Sequence, residues 1–148
     1  MIRTFFTLAA LALVLPACQA DQSGTNAVSG TVLDQRFDGM SGVAEFIGGD
    51  YIVTLSDDPN FTCTSSPLGD YLTVEMFNID GSGGFDASGN VTFNEIAGGV
   101  VEQEAAQSGS FDVTVMSDVD GGEVLQGSID AIGPTSSVGG SFEVPVCD

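Results

Sequence analysis

Two kinds of side chain in this sequence could carry chemistry: 21 carboxylates and three thiols. Histidine is absent and the only cationic residues are Arg3 and Arg36, so the plentiful Ser and Thr have no His or Lys to act as partner base. The usual nucleophilic triads cannot be assembled. What remains for catalysis is a pair of carboxylates working as acid and base, as in glycoside hydrolysis, drawn from Glu75, Glu95, Glu102 and Glu104. Exposed strand positions explain the same residues more simply. Calcium takes oxygen ligands clustered in loops, and its best match is Asp118-Val119-Asp120-Gly121-Gly122-Glu123, with Asp118, Asp120 and Glu123 as donors. That run lacks the third spaced ligand and the distant Glu of the helix-flanked calcium loop, and aspartate before glycine is also what a turn needs. Asp80 through Asp86 is a thinner version of the same pattern. Calcium is thus the one cofactor the composition admits, and none is required. Sugar binding by ring stacking would rest on Tyr51 and Tyr71, since Trp is absent.

The charge balance narrows the partners. All 21 acidic residues lie beyond residue 18 and Arg36 is the one cation there, which leaves that part of the chain at −20. Nucleic acid is excluded as a partner, because phosphate binding is carried by Lys and Arg. An anionic lipid surface is excluded for the same reason. Self-repulsion of this size keeps a surface soluble and is relieved by salt.

The N-terminus sets one positive charge, Arg3, before an apolar run from Phe5 to Leu15 and then Pro16-Ala17-Cys18. This is the layout of a signal peptide, and a run of about eleven residues is too short for a spanning helix, which needs about twenty. Leu15-Pro16-Ala17-Cys18 resembles the lipobox that ends the signals of bacterial lipoprotein precursors. The resemblance implies that Cys18 receives a diacylglyceryl group on its sulfur and becomes the acylated N-terminus after cleavage. Pro16 departs from the small or branched residue usual there, which leaves cleavage after Ala17 or Ala20, and a soluble exported product, as the alternative. With Cys18 acylated, Cys63 and Cys147 remain, and in an oxidising compartment they are expected to pair. Two thiols without histidine are too few for a zinc site.

The elements that must position these groups are strands. Residues 18–27 read as a polar tether, and the domain proper spans 28–148. From Val28 onward, short alternating runs are broken by glycine and aspartate. Strands are predicted over Val28–Leu33, Val43–Ile47, Tyr51–Leu55, Tyr71–Phe77, Val91–Ile96, around Phe111–Val115, over Glu123–Ile132 and Gly140–Val146. Leu72, Val74 and Met76 share one face, as do Phe142, Val144 and Val146. The polar stretch Glu102–Ser108 reads as a loop. No helix of useful length appears, so the expected fold is all-β: an antiparallel β-sandwich or up-and-down barrel of about eight strands. A recurrent Gly-Ser opening, at Gly109-Ser110, Gly127-Ser128 and Gly140-Ser141, resembles small β-rich bacterial lipoproteins, some of them calycin-like. That resemblance carries no functional residue.

These observations lead to an expected function: an exported domain, held to the bacterial envelope by lipid, acting as a non-enzymatic structural or interaction module. A small-ligand carrier with a barrel interior and a weak carboxylate-dependent hydrolase are the alternatives. A membrane is a partner only through the anchor.

Overall fold

The computed structural model describes residues 25–65, 69–117 and 122–147, and they are all-β. In chain order the strands are β1 (Thr25–Asn26), β2 (Ser29–Val32), β3 (Gln35–Asp38), β4 (Ser41–Ile47), β5 (Asp50–Ser56) and β6 (Tyr71–Ile79). There follow β7 (Gly83–Asp86), β8 (Val91–Ala97), β9 (Val100–Ala105), β10 (Ser108–Ser117), β11 (Glu123–Ile132) and β12 (Ser137–Cys147). They form one mixed sheet, curled as a half-barrel, in the order β7-β10-β11-β12-β4-β5-β6-β8-β9.

The expectation of a wholly antiparallel sheet is corrected at one place. β12 pairs with β11 along one edge, from Ser137↔Ile132 to Pro145↔Val124, while three strands share its other edge. β2 takes Ser137–Gly139, β1 takes Phe142 and Glu143, and β4 runs parallel to the end of β12 through Val146↔Ala44 and Cys147↔Glu45. β12 therefore joins the two halves of the sheet. The Cys63–Cys147 disulfide forms at this seam, with Cα atoms 5.3 Å apart. It closes a loop with a sequence separation of 84, which constrains the unfolded chain by roughly 4–5 kcal/mol on the entropic account.

The halves are linked a second time. β7 pairs with β10 and β8 pairs with β9, while β7 leads into β8 and β9 into β10 after only a few residues. The two arms are one ribbon, folded over at Ala87–Asn90 and Ala106–Gln107. Backbone bonds from Ala106 N–H to Val91 O (2.9 Å) and from Ala87 N–H to Gly109 O (3.1 Å) hold the fold-over. Small side chains allow it: Ala87 and Ala106 are buried, and Gly109 takes φ +119°. The expectation of a loop over Glu102–Ser108 is corrected here, because Glu102–Ala105 belongs to β9 and Ser108 opens β10.

Hydrophobic alternation puts the side chains where the sequence implies. Phe111 and Val113 of β10 are buried between exposed Asp112 and Thr114, and Leu72, Val74 and Met76 of β6 all face inward. Phe37, Phe93 and Phe111, with Leu55, Met76, Ile79 and Leu125, are the largest fully buried side chains among the described residues.

A Cβ on Gly109 would lie 2.0 Å from Asp130 O, in a backbone conformation that L side chains rarely adopt. Gly109→Ala is expected to cost at least about 2 kcal/mol in urea denaturation. Gly139→Ala, whose new Cβ comes no nearer than 3.8 Å to a neighbour, is expected to cost under about 1 kcal/mol. Equal losses would contradict the role given to the fold-over.

Candidate functional site

Cys18, Asp118 and Asp120 lie outside the described residues. Glu123, the third calcium donor suggested by the sequence, opens β11 and accepts a hydrogen bond from the Tyr51 hydroxyl of β5. This bond, with some desolvation and the nearby negative charge, pushes the Tyr51 phenol up to about 12. Glu123 thus links the two halves of the sheet. Among the described residues no three His, Cys, Asp or Glu side chains converge as a metal site would require.

Of the four glutamates considered as acid–base candidates, Glu75 and Glu104 lie in separate environments, whereas Glu95 and Glu102 are brought together. Glu104 accepts from the Thr135 hydroxyl (2.8 Å) and the Thr135 N–H (3.1 Å). Desolvation raises its carboxyl, but the hydrogen bonds from Ser136 and Thr135 outweigh it and hold the group below the usual range. Glu95 and Glu102 stand directly opposite each other across β8 and β9.

Glu75 sits on the convex face of β6, as alternation implies, yet that face is partly covered around it. A row of polar side chains crosses the sheet in register, Ser41↔Ser56↔Thr73↔Asn94↔Gln103, and the first four are buried. Asn94 Nδ2 donates to Thr73 Oγ1 (3.0 Å), and Gln103 Nε2 donates to Asn94 Oδ1 (2.7 Å). The segment after β5 binds the row's near end. Ser41 Oγ donates to Asp58 O (2.5 Å), the Asp58 N–H donates to Ser56 Oγ (3.1 Å), and the Leu72 N–H donates to Asp57 Oδ1 (2.7 Å). Between this segment and the sheet lies a recess of about 260 Å³, lined by Val43, Thr54, Phe61 and the disulfide. The burial of this polar row is what sequence reasoning missed. Its signal was the strand-breaking Asp58-Pro59-Asn60, which begins the segment carrying Cys63.

β9 ends the strand order. Gly98 and Gly99, at φ +57° and +80°, form a two-residue turn before it, so the flanking Ala97–Val100 pair is hydrogen-bonded and bonded pairs alternate from there. Val101, Gln103 and Ala105 accordingly turn their backbone groups away from β8, and all three are exposed. Val100 and Val101 are 62% and 55% exposed, among the most accessible apolar side chains described. A second surface feature is a shallow groove of about 560 Å³ beside β1, β11 and β12, where Gln126 Nε2 donates to Glu143 Oε2. Comparison with family models, curated proteins and solved structures returns no match for the chain.

Burial raises the Glu75 carboxyl above its ordinary range, against the lowering effect of its Asn94 hydrogen bond. The folded state therefore holds this proton more tightly than the unfolded chain, and the associated stability is lost as pH rises through the folded value. Glu75→Gln is expected to melt a few degrees higher than the parent at pH 7, with the gap closing near pH 4. A lower melting temperature at pH 7 would mean that the ionised carboxylate is held by a stabilising partner.

Proposed function

We propose that this chain is a lipid-anchored β domain of the bacterial envelope, working as a non-enzymatic interaction module that docks its partners along the free edge of β9. That edge, which no strand pairs among the described residues, is the observation that carries the reading. An exposed strand edge is a template for another strand, and proteins ordinarily shorten, cover or pair it. Here its outward backbone groups sit beside exposed Val100 and Val101. The large apolar side chains buried in the interior, Phe37, Phe93 and Phe111 among them, favour this reading over a carrier, which needs an apolar cavity for its cargo. Glu95 and Glu102 do oppose each other, but on a hairpin where Glu102 is exposed, and we read them as an unrelieved like-charge pair rather than as the acid and base of a hydrolase. Of the two architectures expected, the ribbon folded across both halves brings the sheet nearer to a barrel than to a sandwich.

The anchor places the module. Expressed in a bacterium that processes lipoproteins, the parent chain is expected to take up labelled fatty acid and sediment with membranes. Cys18→Ser is expected to abolish both the label and the sedimentation. A parent chain found in the soluble fraction with an unmodified N-terminus would overturn the anchor.

A further inference from the structure

We infer that the β9 edge is built to receive an extended, basic polypeptide segment as an added antiparallel or parallel strand, with Lys or Arg side chains aligned on Glu102 and Glu95. The inference rests on the reading of β9 as the docking edge and assigns the chemistry of its partner.

Three observations select that chemistry. First, Glu95 and Glu102 face each other across β8 and β9 two residues from the hairpin turn. Like charges directly opposite on a sheet are destabilising, and no cation among the described residues offsets them. The one ion pair among the described residues, Arg36 with Asp38, is made on β3. A cationic side chain on the next strand would lie beside Glu102 and within reach of Glu95, relieving the repulsion on binding.

Second, alternation fixes which residues of the partner meet which of β9. Val101, Gln103 and Ala105 share the convex face with Ile96 and Asn94, whereas Val100, Glu102 and Glu104 share the other face with Glu95. Glu104 is already engaged by Thr135. A matching strand therefore presents an apolar side chain to Val101 on the convex side and a basic one to Glu102 on the other.

Third, a second copy of this chain is the wrong occupant. A symmetric antiparallel pairing centred on Glu102 sets Glu102 against Glu102, and one centred on Gln103 sets Glu102 against Glu104. These registers use most of the strand, and both oppose carboxylates between chains carrying a formal charge of −19 each. The same charge draws a basic segment from a distance and raises its rate of encounter.

The test uses the oxidised, folded chain labelled for amide NMR and a soluble ten-residue peptide alternating Lys with Val and Thr. The expected result is saturable shifts of the Val101, Gln103 and Ala105 amides. Binding should weaken at least tenfold in the double variant Glu95→Gln, Glu102→Gln, which keeps the edge open. Val101→Pro is expected to abolish the shifts by removing an outward N–H while leaving the β8 ladder intact. Equal binding by the parent and the double variant would overturn the assignment of Glu95 and Glu102. Equal binding of a peptide with Ser in place of Lys would overturn the basic partner yet keep β9 as a docking edge. Absence of β9 shifts with either peptide would overturn the docking edge itself.

Discussion

The fold depends on what happens along one side of β12. That edge is shared by β2, β1 and the parallel end of β4, while β11 occupies the other, so the final strand is where the two halves of the sheet are joined. A single strand can serve both halves only if its two ends are held in different directions. Antiparallel partners hold Ser137 to Glu143, and the Cys63–Cys147 bond holds the end beside β4. The same bond brings the segment after β5 down onto the sheet, where Asp57 and Asp58 satisfy backbone and hydroxyl groups. One covalent link thus closes the seam and roofs the buried polar row.

The acidic composition shapes the rest. With Arg36 the single cation beyond residue 18, carboxylates cannot be neutralised in pairs, and several act instead as acceptors for backbone donors. Asp86 takes the Ser88 N–H (2.8 Å), Asp70 the Gly98 N–H (2.7 Å) and Asp58 the Asn60 N–H (2.8 Å). Each fixes a turn. Cohesion comes from the apolar interior and from neutral hydrogen bonds such as Asn94 to Thr73. The unrelieved charge is left on the surface, and at the Glu95–Glu102 pair it coincides with an open strand edge.

How much of this was legible in the sequence depended on whether the determinant was local. The inward faces of β6, β10 and β12 follow from alternation at Leu72 to Met76, Phe111 to Val113 and Phe142 to Val144, because burial on one side leaves a period of two. The disulfide followed once Cys18 was set aside for acylation. β9 did not follow: Glu102 to Ala105 has no apolar face, and its strand state comes from pairing with β8 rather than from its own residues. β3 and β7 are only four residues each and gave no period to read. The parallel contact of β4 with β12 and the burial of Ser41, Ser56, Thr73 and Asn94 arise from residues far apart in the chain, so no window of sequence could contain them. For the candidate site, the separate glutamates were visible but the opposition of Glu95 to Glu102 required the register.

The central claim is that the β12 seam, locked by Cys63–Cys147, joins two halves that otherwise meet through the folded ribbon. Amide hydrogen exchange of the oxidised and reduced chain, compared residue by residue under native conditions, tests it most directly. The account predicts that reduction strips protection first from the segment through Cys63, from Ala44 of β4 and from Val146, while β10, β11 and the first half of β12 stay protected. Uniform loss across the whole sheet, or unchanged protection at Ala44 and Val146, would contradict it.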